Sequence, residues 1–481
     1  MSQPPGHDRA DTLLRICFPL IAVIGALVYL FILSNGTWNL FVGEWMGLVY
    51  SDYLLAILDG RLDIKQELIQ HEGFYADDGR VYTYFGVLPA FLRVLWMPFV
   101  DLATVDVSRP TLWILLCLSA LLSQWLVWRV YRTVPTVGAS VASATLIIVL
   151  WVFLWFAGPT MLLSANASVY HQPIIVSYLL SLIYLWVLLD AGAAQGRIRA
   201  GLLPWLALIA GLAVHTRPTL AIGLYAATVG LCALEFYRLY TEADAAAPQQ
   251  RLWAATKSVV LGPIALTMII MLIAGLLVFF LNWVRWGDPM MTAPMDRYGS
   301  RLFLDPDPER YGSIDELGSF SWRRIPANVL LYLVPLLELH ERLASMFSAG
   351  YIRKELPVPG ILSIWILPLL LVVRFGRSGK APVQTSQFRV VVAGFLIVVL
   401  MTLAFQTITF RYWVDLWPAL FILLLASIPG AVGWLANVPA HRARVWTGLF
   451  AVLGAVGIYW MVGALNLYKS LAWFAAADTP L

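Results

Sequence analysis

Apolar runs of membrane-spanning length recur along this chain, and nothing else in it constrains the fold as strongly. A bilayer core asks for about 17–25 consecutive apolar residues per helix. Eleven stretches read this way: 13–33, 111–128, 140–157, 173–189, 202–216, 220–236, 259–281, 357–373, 390–405, 413–434 and 447–467. A chain of 481 residues that is 60% apolar and only 12% charged falls outside the range of soluble domains. The expected fold is therefore an all-α integral membrane protein with about eleven transmembrane helices, forming a single polytopic domain over 1–481. The first run lacks a small-residue cleavage site and reads as a retained anchor rather than a secretory signal.

Charge distribution orients the bundle. With the N-terminus inside, the tail and short inner loops hold fifteen cations, among them Arg197, Arg377 and Lys380, whereas the short outer connections hold two, Arg217 and Arg411. The net charge of +4 is then split between a basic inner side and an acidic outer side. It reports topology and gives no sign of nucleic-acid binding. Cys17, Cys117 and Cys232 lie in or beside spans and read as small packing residues, with no disulfide implied.

Three long segments remain on the outer side, 34–110, 282–356 and the C-terminal tail from Asn466. The first holds the charges that ask for a chemical explanation: Glu44, Asp52, Asp59, Arg61, Asp63 and Lys65 flank an apolar stripe at helical spacing, broken at Gly60. Residues 88–100 are apolar but too short and proline-rich to span, so they are expected along the membrane surface. The second segment begins with a turn-rich Asp305-Pro-Asp-Pro308 and continues with an apolar and an amphipathic piece. Amphipathic juxtamembrane helices on one face could build a water-accessible pocket above the bundle.

The spans carry almost no ionisable residues, whereas carriers and channels need polar groups at mid-membrane depth. Charge stacked on one side suits an enzyme acting on a lipid headgroup, with the reacting phosphate emerging at the interface. Arg217, Arg285, Arg297 and Arg411 are the candidate clamps, since planar guanidinium forks hold phosphate oxygens better than lysine does. Arg217, in His215-Thr-Arg217-Pro218-Thr219, should lie at or just below the outer interface, because a guanidinium at the bilayer centre costs about 2.5–3.5 kcal/mol on insertion scales. Asp415, one turn below Arg411, is expected to pair with it. His71, His171, His215 and His340 have no ligand spacing, so no metal site is expected. No cofactor is indicated, although a divalent cation held by carboxylates stays open.

Five stretches carry a resemblance to a known family: Ser51-Asp-Tyr-Leu-Leu-Ala-Ile-Leu-Asp-Gly-Arg-Leu-Asp-Ile64; Asp78-Gly-Arg-Val-Tyr-Thr-Tyr-Phe-Gly-Val-Leu-Pro89; Arg217-Pro-Thr219; Asn282-Trp-Val-Arg-Trp-Gly-Asp-Pro289; and Arg411-Tyr-Trp-Val-Asp-Leu-Trp-Pro418. In this order, at outer span ends, they resemble integral-membrane glycosyltransferases of the GT-C fold, in a superfamily that includes aminoarabinose transferases and protein mannosyltransferases. The resemblance implies transfer of a sugar from a polyprenyl-phosphate donor to a lipid or glycan acceptor of the cell envelope, such as lipopolysaccharide. The site would be extracytoplasmic, in a bacterial inner membrane. It also implies an acidic general base in the first outer loop, where Glu44-Trp45 stands at the family's Asp-Glu; Asp52 and Asp63 are the next candidates. Arg61, Tyr82, Tyr84 and the four arginines would bind the sugar phosphate. The carboxylate would take the acceptor proton as it attacks the anomeric carbon, the configuration would invert, and general-base help is worth roughly 10²–10⁴ in rate. The alternative is a transporter or polymerase-like component of envelope glycan assembly.

Overall fold

A computed structural model describes residues 6–134, 140–190, 199–243, 247–260, 262–304, 308–355, 360–376 and 386–477. Arg197, Arg377, Lys380 and most of the Asp305–Pro308 turn, named above, lie outside them. The described chain is helical apart from two two-stranded sheets of two or three residues per strand.

Among the described residues, nine helices are long and apolar enough to cross a membrane. The expected spans 202–216 and 357–373 appear as shorter elements. The first is the 12-residue helix Leu203–Val214, about 18 Å long against a hydrocarbon core of about 30 Å. In the second, Ile361–Ile364 and Ile366–Phe375 are separated at Trp365, whose buried indole N–H donates to the Ala157 carbonyl at 3.0 Å. Val141–Phe156, His171–Asp190 and Trp413–Asn437 form the centre of the bundle and share one apolar core. Gly6–Leu33 and Pro263–Trp286 lie at its edge. The latter has a mean hydropathy of 3.0 but only 17% of its span buried inside the protein, so its apolar surface is left for lipid.

Where backbones must approach, glycine permits it. Pro218–Glu242 crosses Ser386–Ala404 at Gly223 and Gly394; a Cβ on either would come within 2.6 Å of the other's carbonyl oxygen. Gly86 does the same for the first connecting segment. A Cβ there would sit 2.0 Å from the His215 oxygen, the same carbonyl that accepts from the Leu88 amide at 3.0 Å. The segment bearing Tyr82 and Tyr84 is thus pinned to the turn bearing Arg217.

The first connecting segment is more than interfacial helix. After Val49–Leu58 it forms a hairpin, β1 (Phe74–Tyr75) against β2 (Val81–Tyr82), closed by Asp77-Asp78-Gly79 with Gly79 at φ +81°. The second segment docks on this hairpin. The Gly299 amide donates to the Gly73 carbonyl at 2.8 Å, Tyr298 bridges to Phe74, and Arg297 pairs with Asp77 at 2.8 Å. Residues 88–95 form a helical turn and a 3-10 turn with Phe91 and Leu95 exposed, as a surface-lying segment requires. Arg93 points inward instead, fully buried, and donates to Thr111, Ser108 and Gln172. A second sheet, β3 (Arg353–Glu355) parallel to β4 (Thr407–Thr409), ties the end of the second segment to the approach of Trp413–Asn437.

Candidate functional site

At the loop-rich end of the bundle, three helices begin around one cavity of about 180 Å³. Its wall includes Pro173 and Ile174 from the first turn of His171–Asp190, Pro218 and Thr219 from that of Pro218–Glu242, and Asp415 from that of Trp413–Asn437. Helix N-termini present unsatisfied N–H groups and the positive end of the dipole, which favours an anion. Tyr84 and Phe85 of the first connecting segment and Phe320 of the second close the sides.

Two guanidiniums enter this space. Arg217 caps its helix in an extended conformation, with Pro218 in the first turn continuing the backbone into the helix. Its Nε and Nη2 donate to Asp415 Oδ2 at 3.1 and 2.5 Å, and its guanidinium stands 4.8 Å from the centre of the Tyr412 ring. Arg411 lies in the 3-10 turn Phe410–Tyr412, 4.4 Å over the Tyr170 ring, with Nη2 3.2 Å from Glu355 Oε2. Burial alone would raise the Glu355 carboxyl, but Arg411, then Arg353 and a hydrogen bond with Thr409, hold it below the usual glutamate value.

The expected Arg411–Asp415 pair is therefore replaced by two pairs, Arg217–Asp415 and Arg411–Glu355. The reason lies in the backbone: Arg411 precedes the first residue of the helix, so the one-turn spacing does not apply. The β3–β4 pairing also sets Glu355 opposite Thr409, two residues from Arg411.

Of the residues singled out from the sequence, Arg217, Arg411 and Tyr84 line the cavity together. Asp415 lines it as well, whereas the remaining candidates lie apart from its lining. Glu44 accepts from Arg109 Nε at 2.7 Å, Asp52 accepts from the Lys65 amide at 2.9 Å, and Asp63 accepts from Arg61 Nη1 at 2.7 Å. The expected single cleft joining these three acids to Arg217 and Arg411 is thus corrected, because each carboxylate is held by a neighbour of its own. Tyr82 is buried, its ring 5.2 Å from that of Trp286. Arg285 donates to the Tyr53 hydroxyl, and Arg297 is engaged by Asp77. Among the described residues no group of three or more His, Cys, Asp or Glu side chains is placed to hold a metal ion.

Three residues that sequence reasoning passed over belong to the site. Tyr170 and Glu355 frame Arg411. Glu72, at the base of the β1–β2 hairpin, accepts from the Tyr298 hydroxyl at 2.7 Å and is largely buried. Phe74, two residues on, packs against Tyr84 with ring centres 5.6 Å apart. Burial pushes the Tyr170 hydroxyl well above its ordinary pKa, and the Glu72 charge adds to the rise. The Asp77-Asp78-Gly79 turn signal between two aromatic pairs could have revealed the hairpin. No local signal marks Glu355.

No protein-family model matches the chain, and no curated protein matches it. Among solved structures, it is similar to the oligosaccharyltransferase of Archaeoglobus fulgidus tethered with an acceptor peptide (TM-score 0.47, 14% identity, covering 94% of this chain and 55% of that one). The apo form of that enzyme matches at a TM-score of 0.47 and 12% identity, over 93% and 56% of the two chains. ArnT from Cupriavidus metallidurans, bound to undecaprenyl phosphate, matches at 0.41 and 14%, over 94% of this chain and 76% of that one. Both proteins are GT-C-fold membrane glycosyltransferases. The chain spans about half the length of the oligosaccharyltransferase. Likeness at this level carries no argument about chemistry.

Proposed function

We propose that this multi-pass membrane protein is a glycosyltransferase that takes a sugar from a polyprenyl-phosphate donor and passes it to an envelope lipid or glycan. One observation carries the reading: Arg217, Arg411 and three helix N-termini meet at a single cavity at the loop-rich end of an apolar bundle. Asp415 and Glu355 hold the guanidiniums from one side, and the N–H groups left over are available to a phosphate. The excess of cations in the opposite loops supports reading this end as the non-cytoplasmic side, in a bacterial inner membrane.

In the reaction, the acceptor hydroxyl oxygen forms the new bond to the anomeric carbon as the bond from that carbon to the phosphate oxygen breaks. Configuration inverts, and the lipid phosphate leaves with the bonding electron pair. Charge developing on that oxygen falls between the two arginines, where preorganised donors are worth most. The hydroxyl proton goes to a carboxylate. Asp415 and Glu355 are engaged by arginines, as Glu44 is by Arg109 and Asp63 by Arg61. Glu72 accepts from a tyrosine hydroxyl and lies two residues from Phe74, which packs on Tyr84 of the cavity wall, and we assign the base to it.

The test is transfer from a radiolabelled polyprenyl-phosphate sugar by purified protein. Arg217→Ala, Arg411→Ala and Glu72→Gln should each lower turnover at least 100-fold, while Glu44→Gln, Asp52→Asn and Asp63→Asn should not. Loss confined to one of the latter three would move the base there. Full activity in both arginine variants would end the phosphate assignment.

A further inference from the structure

A second hollow opens beside the first connecting segment, with a volume of about 490 Å³. Gln66, Glu67, Gln70 and His71 line one side, and Tyr75 and Phe303 the other. It is built rather than incidental. The Trp45 indole N–H donates to the Gln70 side-chain oxygen at 3.1 Å, and the Trp45 ring lies 6.0 Å from that of His71. Phe303 stands edge-on to Tyr75 at 4.9 Å. Gln70 is held at φ +51°, a backbone conformation that a non-glycine residue keeps only where its surroundings impose it.

Two carboxamides, a carboxylate and an imidazole offer hydrogen-bond donors and acceptors side by side, the pattern that adjacent hydroxyls satisfy. Trp45 and Phe303 remain 44% and 63% exposed, leaving aromatic surface for the C–H face of a ring. Among the described residues no lysine or arginine lines the hollow, and Glu67 repels anions, so the chemistry does not suit a phosphate. Lipid chains would strand the polar groups. His71, in its wall, is three residues from Phe74, which packs against Tyr84 in the wall of the cavity between the arginines.

We propose that this hollow is an acceptor subsite that binds a neutral carbohydrate and holds it next to the transfer site. Its role in transfer rests on the glycosyltransferase reading; binding itself does not. The experiment is saturation-transfer NMR on the full chain in nanodiscs, with the methyl glycosides of glucose, galactose and mannose as probes and inorganic phosphate as a further probe. Phe303→Ala and Gln66→Ala remove exposed side chains that touch Tyr75 in the wall of the hollow, and Gln70→Ala breaks the Trp45 contact. At least one glycoside should bind, about tenfold more weakly in each variant, in keeping with loss of one good contact. Arg411→Ala should leave glycoside binding intact. Absence of binding by every glycoside, binding unchanged in the three variants, or phosphate competing for the same signal would overturn the subsite. If the wild type binds glycosides but transfers nothing from a polyprenyl-phosphate sugar, the functional reading falls while the subsite stands. Transfer without glycoside binding gives the reverse result.

Discussion

Arg217 and Asp415 form the most exacting test of the site, because they join two helices far apart in sequence and Asp415 is only 4% exposed. Asp415→Leu removes the negative charge and leaves a guanidinium facing low dielectric without its counter-ion. Breaking one side of a buried pair in this way costs about 3–5 kcal/mol. Arg217→Met strands the carboxylate and should cost a similar amount. The double variant Arg217→Met/Asp415→Leu replaces the pair with apolar side chains of comparable size, and such swaps are often close to neutral. With losses of about 3–5 kcal/mol in each single variant and little in the double, the cycle should show a favourable coupling of about 6–10 kcal/mol, above the ordinary range for residues in contact because each single variant strands a buried charge. Reversible unfolding in mixed micelles measures all four proteins, and donor transfer measures the same four. The double variant is expected to be nearly as stable as the wild type and inactive, which separates the role in folding from the role in binding phosphate. Additive losses, with the double variant as unstable as the two singles summed, would refute the coupling. A stable double variant that transfers sugar at the wild-type rate would refute the binding role.

Arg411→Lys keeps the charge but loses both the flat stack on Tyr170 and the forked donors, so donor KM should rise roughly 10- to 100-fold, checked by initial rates against donor concentration. Glu355 titrates below the usual glutamate range when folded, so its pairing with Arg411 contributes fully above the ordinary carboxyl value and is lost only as pH falls through the depressed one. Donor binding followed from pH 7 downward should therefore persist into the acid range, and Glu355→Gln should weaken it already at pH 7. His340 is buried, and desolvation, with help from Lys354, lowers its pKa to about 4. The unfolded chain takes up that proton near pH 6.5, so stability should fall between pH 6.5 and 4 by on the order of 3 kcal/mol. In His340→Leu this part of the pH dependence should disappear from thermal unfolding curves.

The bundle was readable because spans are long and composition decides them. Nine of the eleven apolar runs fold as helices of spanning length, and the two exceptions were the runs with least to spare or with proline and tryptophan inside. Arg217 and Arg411 were readable for a related reason: a cation at a span end is rare enough to attract notice by itself. Their counter-ions were not. Glu355 reaches Arg411 through a parallel pairing of three-residue strands separated by some fifty residues, and no local pattern encodes such a contact. Two acids of the first connecting segment misled for the opposite reason. Asp52 and Asp63 are taken up by partners within the same segment, Lys65 and Arg61, whereas Glu44 is held by Arg109 at the start of the next span, a contact as distant in sequence as the one to Glu355.

The arrangement of charge in the cavity follows from its position at the end of the bundle. Two bare guanidiniums side by side in a partly dry pocket would repel each other and lose hydration, and the empty site would be unstable. Asp415 and Glu355 bring the empty site to neutrality, and they come from different elements, so each arginine is held from its own side. Arg217 uses Nε and Nη2 for that purpose, which leaves its third nitrogen for the cavity. An entering phosphodiester then adds one negative charge to a balanced site and finds donors already aimed, with little rearrangement to make. Once the sugar has gone, the lipid phosphate can carry a second negative charge, which falls on the same guanidiniums and helix N-termini. On the proposed reading, a site organised this way would favour the charge that appears as the bond to the sugar breaks over the charge present beforehand, which is the condition for catalysis rather than for tight binding of donor.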